Sequence, residues 1–173
     1  AQIIGYDGVD KRIDVIATAI YAGMTADELK DIDLAYAPPY SSAKDPVNMA
    51  GYMIDNIIEG VMKQFYIEDI DKLQNDDGVT LLDTRTEKEY KRGHIEGFIN
   101  IPVDELRERI EEIPVGKPVY VMCQSGLRSY ISARIIEGHG FDCYNFTGGY
   151  RYYDAVKNEY NLIEEATACG MGI

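Results

Sequence analysis

The chain has 173 residues, of which 46% are apolar and 27% charged, and its formal net charge is −13. This composition is typical of a folded domain, or of one domain with part of another. A surface this acidic repels nucleic acids and anionic membranes, so the charge disfavours both as partners. Three cysteines and two histidines follow no metal-ligand or disulfide spacing, so we expect no metal site and a reducing compartment, the cytoplasm.

Residues 1–62 carry one predicted strand and three predicted helices. The strand is the apolar run Ala1–Gly5, and its opening without a methionine indicates a fragment of a longer protein. Helical spacing of apolar residues predicts the first helix, on Val9, Ile13, Ile16 and Ile20. A Thr-x-x-Glu capping box at Thr25 predicts a short second helix.

Two proline-containing stretches define the rest of this segment. The prolines of Leu34–Tyr40 predict an extended conformation. Asp45 and Pro46 read as the N-cap and first residue of a third helix, with Ala50, Ile54 and Ile57 on one face. Because one strand and three helices leave apolar faces uncovered, we expect half a domain, completed by missing chain or a partner subunit.

Residues 63–160 alternate between predicted strands and helices. The strands are expected at 65–67, 79–83, 98–101, 118–122 and 142–146. The helices are expected at 68–74, after the Thr86 capping box, and at 104–113, 129–137 and 150–159. Short connections between the elements predict an α/β fold, a parallel sheet with helices on both faces.

The stretch Val119–Ser129 predicts a reactive thiol. Cys123 follows a buried strand and Gly126 suits a tight loop. Four residues separate Cys123 from Arg128, and a helix starts near Ser129. Loop amides, the positive end of the helix dipole and an arginine all stabilise a thiolate, which is the nucleophilic form. We therefore predict Cys123 and Arg128 as catalytic, with a binding loop made of Gln124, Ser125, Gly126, Leu127 and Ser129.

Five motifs in this segment resemble the rhodanese family of sulfurtransferases. They are Asp83-Thr84-Arg85, Gly93-His94-Ile95, Ile99-Asn100-Ile101-Pro102, the Cys123–Arg128 loop and Gly148-Gly149-Tyr150. The resemblance implies a rhodanese-like fold over 63–160 and transfer of sulfane sulfur through a persulfide on Cys123. Cysteine phosphatases, a rival class, use the wider C-x5-R loop, whereas Cys123 to Arg128 is C-x4-R.

Other residues of these motifs allow a structural interpretation. Asp83 and Arg85 belong either to the rim of the active site or to an internal ion pair. We interpret His94 as a structural hydrogen-bonding residue and Cys143 as a core residue. Gly148-Gly149 is expected to let the chain pass close to the Cys123 loop.

The first segment resembles a different family. The motifs are Gly8–Asp14, Gly23-Met24-Thr25, Ala35–Ser41 and Lys44–Asn48. They are similar to the end of the dimerisation domain of pyridine nucleotide-disulfide oxidoreductases, in the coenzyme A-disulfide reductase and NADH oxidase branch. The resemblance implies a homodimer and, for the full-length protein only, FAD, NAD(P)H and coenzyme A. It also implies that Tyr36 reaches across the dimer toward coenzyme A and the redox cysteine.

Together the two resemblances imply a persulfide or polysulfide reductase that carries a C-terminal rhodanese domain. Expected donors are thiosulfate, polysulfide or persulfide, and expected acceptors are thiols or cyanide. An idle rhodanese domain, serving only as a docking or regulatory module, is the alternative. The tail, 161–173, contains Cys169-Gly170-Met171, which is either the start of a further sulfur-relay domain or an ordinary terminus.

Overall fold

The structure, a computed structural model, describes residues 1–39 and 41–168. The chain divides into two compact units, Ala1–Val61 and Met62–Ile173. The helices of the first unit are α1 (Val9–Tyr21) and α2 (Pro46–Ile58). Those of the second are α3 (Ile70–Gln74), α4 (Glu87–Arg92), α5 (Leu127–Gly138) and α6 (Gly149–Ala168). The strands are β1 (Lys63–Phe65), β2 (Thr80–Asp83), β3 (Ile99–Asn100), β4 (Val119–Met122) and β5 (Cys143–Phe146).

Helices α1 and α2 of the first unit lie where the sequence predicts them. The side chain of Asp45 caps α2 by accepting a hydrogen bond from the Val47 amide at 3.0 Å, and Pro46 occupies the first turn. A small core of Ala19, Leu29 and Val47 joins the two helices through the turn between them. Ile20, on the apolar stripe of α1 that the sequence leaves uncovered, is 63% exposed.

One prediction for the first unit is wrong, and the predicted short second helix takes the 3₁₀ form. Residues Ala1–Gly5 form no strand, and the described part of this unit contains no other strand that could supply ladder hydrogen bonds. The second helix is a single 3₁₀ segment, Asp27–Asp31, rather than an α-helix. Glu28 still accepts a hydrogen bond from the Thr25 amide at 2.6 Å, which is half of the predicted capping box.

The second unit is built on a five-stranded sheet in the order β1-β5-β4-β2-β3. Every neighbouring pair in it is parallel. Strand β4 is central, and its alternate residues enter two separate cores. Val119 and Val121 pack with Ala133 of α5, whereas Tyr120 and Met122 pack on the side of α3. The predicted parallel α/β sheet, with helices on both faces, is therefore confirmed.

One predicted helix in this unit, 104–113, is absent. The segment instead makes successive turns that bond residues three apart, such as the Glu108 amide to Glu105 O at 3.0 Å. Only Ile110–Glu112 is regular, as a 3₁₀ turn. Leu106 and Ile113 are nevertheless buried, as the apolar spacing predicted.

The last helix extends further than predicted. Helix α6 runs to Ala168, through most of the expected tail. Tyr40 and the Cys169–Ile173 motif lie outside the described residues. Within 1–39 and 41–168 no helix is both long and apolar enough to span a bilayer, and no cluster of His, Cys, Asp or Glu is placed to hold a metal ion.

Candidate functional site

Cys123 lies at the carboxyl end of the central strand, between the ends of β2 and β5. This is the edge at which open parallel sheets hold their ligands. The chain turns through a tight loop and enters α5 at Leu127. Gly126 has a φ of 118°, a conformation that residues with a side chain rarely adopt, so the predicted need for glycine is met.

The loop places hydrogen-bond donors around the Cys123 sulfur. The Gly126 amide donates to Sγ at 3.1 Å, and the Ser129 hydroxyl lies 3.3 Å from it. The same hydroxyl is 3.0 Å from the Gly126 carbonyl oxygen, so its single proton can turn toward the sulfur when an anion forms. Sγ is therefore held by donors suited to a thiolate.

These donors also decide the acidity of the thiol. Burial alone would raise the pKa of Cys123, since a thiolate is poorly solvated in the interior. Hydrogen bonds from the Ser129 hydroxyl and from the amides of Ser129, Ser125 and Gly126 oppose burial and outweigh it. The resulting pKa is lowered from its usual value, which favours the nucleophilic form.

The start of α6 fixes the other side of the loop. The Tyr150 amide donates to Cys123 O at 2.8 Å, and the Arg151 amide donates to Gln124 O at 3.1 Å. Gly149 allows this approach, because a Cβ at that position would lie 2.7 Å from Cys123 O. The expectation that the double glycine passes close to the Cys123 loop is thus confirmed.

Asp83 and Arg85 form a buried ion pair beneath the loop. Two guanidinium nitrogens of Arg85 bond the Asp83 carboxylate at 2.7 to 3.1 Å, and the two residues are 1% and 0% exposed. Arg85 also contacts Gln124 Oε1 at 3.4 Å and lies 3.8 Å from the centre of the Tyr150 ring. Burial of both residues supports the internal ion pair and places neither on an exposed rim.

Arg128 is paired with a carboxylate rather than with the sulfur. Its two terminal nitrogens bond the Glu89 oxygens at 2.8 and 2.7 Å. Glu89 also receives hydrogen bonds from the Thr86 amide and hydroxyl, completing the predicted capping box of α4. Arg128 thereby ties the loop to α4, and its catalytic role stays a prediction.

The pKa of Glu89 reflects this geometry. The hydrogen bond from Arg128 is the largest influence and burial opposes it, while the Thr86 hydrogen bonds add to the lowering. Together they lower the pKa of Glu89 to about 2. The carboxylate is therefore ionised at any pH near neutrality.

The remaining predicted residues lie in separate places. Leu127 is 65% exposed at the mouth of the loop. His94 is exposed and its Nδ1 lies 3.2 Å from Tyr90 O, in keeping with the structural role predicted for it. Cys143 is fully buried, and burial raises the pKa of its thiol to about 12, so it is a core residue. Tyr36, in the first unit, is half exposed and lines a cleft there.

Two functional contacts escaped the sequence analysis. Glu89 was identified only as a capping residue, because nothing in the sequence links it to Arg128, 39 positions away. Tyr150 was identified only as part of a motif, although its ring covers the Arg85 guanidinium. An ion pair between distant positions and a ring stacked on an arginine both leave no local sequence signal.

Comparisons with known proteins agree with this geometry. A family model described as Rhodanese-like domain matches residues 67–155. The chain is similar to coenzyme A disulfide reductase of Staphylococcus aureus (strain bovine RF122 / ET3-1), with 54% identity over 52 residues, 30% of this chain and 12% of that protein. It is also similar to the solved structure of reduced Bacillus anthracis CoADR-RHD, with a TM-score of 0.85 and 50% identity over 88% of this chain and 27% of that one.

A second solved structure, an NAD-dependent persulfide reductase from A. fulgidus, has a TM-score of 0.72 and 42% identity. That match covers 84% of this chain and 26% of the other. Each of these two matches covers a larger share of this chain than the second unit makes up, so the similarity includes residues of the first unit. The chain covers 12% of the length of the coenzyme A disulfide reductase and 27% and 26% of the two solved chains.

Proposed function

Because the chain belongs to the rhodanese-like family through residues 67–155, we propose that it transfers sulfane sulfur through a persulfide formed on Cys123. The observation that carries the proposal is the environment of Sγ. A thiol with a lowered pKa accepts hydrogen bonds from the Gly126 amide and the Ser129 hydroxyl at the end of a parallel strand. These donors support the anion before attack and the anionic form of the persulfide after it.

The transfer divides into two balanced steps. In the first, the Cys123 thiolate attacks the outer sulfur of a donor HS–S–R. A bond forms between the two sulfurs, the S–S bond of the donor breaks, and R–S⁻ leaves with the electron pair. In the second, an acceptor thiolate attacks the outer sulfur of the persulfide and regenerates the Cys123 thiolate. Neither step needs a general base, because the loop already favours the thiolate.

The proposal for the whole protein is broader. Its relatives include coenzyme A disulfide and persulfide reductases, so this chain would act as the sulfurtransferase module of such a reductase. The 173 residues contain no glycine-rich loop of the dinucleotide-binding type, and hence nothing here fits FAD or NAD(P)H. Those cofactors would bind elsewhere in the reductase, and no step above passes through them.

The first unit supports a homodimer within that proposal. Ile20 and Ile57 are exposed on its two helices, at faces that a partner subunit would cover. Tyr36 is half exposed and free to reach a partner's coenzyme A site, as the family resemblance implies. A reducing compartment such as the cytoplasm would keep Cys123, a free cysteine in this structure, available as a thiol.

Mass spectrometry of the chain after brief exposure to polysulfide tests the sulfur transfer. We expect Cys123 to gain one sulfur, and cyanide or a thiol to remove it. Cys123→Ser should lose the gain, because a hydroxyl cannot carry a persulfide, while Cys143→Ala, a change at a buried thiol, should retain it. An unchanged mass of the parent chain would favour the idle docking module instead.

A further inference from the structure

Two arginines near the Cys123 loop are each paired with a carboxylate. Arg128 donates two hydrogen bonds to Glu89 through its terminal nitrogens, and Arg85 donates to Asp83 through Nε and one terminal nitrogen. A paired guanidinium offers less attraction to a second anion, since a carboxylate already balances its charge. Arg151, whose amide meets the loop, has an exposed side chain, and solvent screens its charge.

Resting on the transfer proposed above, we propose that Glu89 determines which sulfur donors the loop accepts. By holding Arg128 it favours donors whose outer sulfur is attached to an organic chain, such as alkyl persulfides. It disfavours dianions, of which thiosulfate is the simplest sulfur donor. Glu89 touches no reacting atom on this account and acts as a positioning residue through Arg128.

Three further observations support this role. The net charge of −13 repels a dianion more strongly than it repels a singly charged or neutral donor. Leu127, at the mouth of the loop, exposes an apolar side chain that suits an organic chain rather than a sulfonate group. The thiol itself is bound by hydrogen bonds from the loop, which serve a persulfide sulfur without needing a free cation.

Glu89→Gln is the substitution that isolates the effect. Glutamine is accepted at this position of a capping box, so α4 keeps its bond to the Thr86 amide while Arg128 loses its charged partner. Glu87→Gln is the matched control. It removes the same charge from the same helix, but Glu87 pairs with the exposed Lys91 and not with Arg128.

The first measurement is the ratio of kcat/KM for thiosulfate to kcat/KM for ethyl persulfide, an alkyl donor that carries no carboxylate. We expect Glu89→Gln to raise this ratio by roughly tenfold or more, the scale of one charge-assisted hydrogen bond. Glu87→Gln should leave the ratio within about twofold of the parent value, as for an exposed charge. The double variant Glu89→Gln/Arg128→Gln should lose the gain, because the freed guanidinium produces it.

A purely structural role for Glu89 would lower both kcat/KM values in parallel, and that result would overturn the proposal. An equal rise in Glu87→Gln, or a rise that persists in the double variant, would also overturn it. A second measurement needs no turnover: sulfate should slow iodoacetamide alkylation of Cys123 in Glu89→Gln more than in the parent. Sulfate protection without any sulfur transfer would refute only the proposed function, whereas transfer with an unchanged ratio and no added protection would refute only the role of Glu89.

Discussion

Adding one methyl group at Gly149 should reveal two physical effects, backbone strain and steric clash. Its φ is 66°, and a Cβ there would lie 2.7 Å from Cys123 O and 2.8 Å from the carbonyl carbon of Gln124. The atoms in the way belong to the backbone, so they cannot turn aside as the end of a flexible side chain would. Gly149→Ala must therefore push α6 and the Cys123 loop apart.

The expected cost has a strain part and a clash part. Holding an alanine in the left-handed region costs about 1 kcal/mol, and forcing a methyl into an occupied space costs about 1–3 kcal/mol more. Gly116→Ala carries only the first part, because Gly116 has a similar φ of 84° and no atom within 4 Å of its Cβ position. Both alanines restrict the unfolded chain equally, so that contribution cancels between the variants.

Chemical denaturation followed by far-ultraviolet circular dichroism measures the difference. We expect Gly149→Ala to lower the free energy of unfolding by about 1–3 kcal/mol more than Gly116→Ala does. It should also alter the alkylation rate of Cys123, since its carbonyl loses the hydrogen bond from the Tyr150 amide. Equal losses of stability in the two variants, with unchanged alkylation, would refute the close approach of α6 to the loop.

Two further predictions concern protons. Ser129→Ala should raise the pKa of Cys123 and move the inflection of its iodoacetamide alkylation to higher pH, whereas Ser132→Ala, one helical turn along and bonded to Arg128 O, should not. An equal shift of the inflection in the two serine variants would show that the Ser129 hydroxyl does not lower the pKa of Cys123. The pair between Glu89 and Arg128 should contribute up to about 1 kcal/mol of stability, complete above pH 4.5 and lost as the pH falls toward 2, because folding lowers the pKa of Glu89 to about 2. The difference in denaturation midpoint between the parent and Glu89→Gln should accordingly shrink as the pH is lowered from about 6 to about 3. A difference that stays constant would contradict the lowered pKa of Glu89.

Local signals in the sequence predicted the parts of the site that depend on neighbouring residues. The apolar run before Cys123 predicted a buried strand, and the Thr86-x-x-Glu89 spacing predicted the cap of α4. Both depend on interactions within a few residues, which sequence patterns record directly. The second contact of Glu89, with Arg128, depends on the fold, and hence no pattern within either segment could indicate it.

The segment 104–113, where the predicted helix is absent, shows what apolar spacing cannot predict. Leu106, Ile110 and Ile113 are spaced three or four apart, which fits a helix and fits successive turns equally well. Most of the backbone hydrogen bonds here join residues three apart, so the segment buries the predicted side chains without forming an α-helix. Burial was thus predictable from spacing, and the backbone conformation was not.

The order of the sheet has a consequence for how the chain matures during synthesis. Strand β1, at residues 63–65, is bonded on its paired side to β5, at residues 144–146. The first strand of this unit to leave the ribosome therefore waits for the last one, and closure of such a long loop slows folding. The amides of Tyr150 and Arg151 emerge later still, so Cys123 is synthesised well before the contacts that fix its loop exist. A nascent chain stalled before residue 150 should therefore expose this thiol to oxidants, and reducing conditions would matter most at that stage.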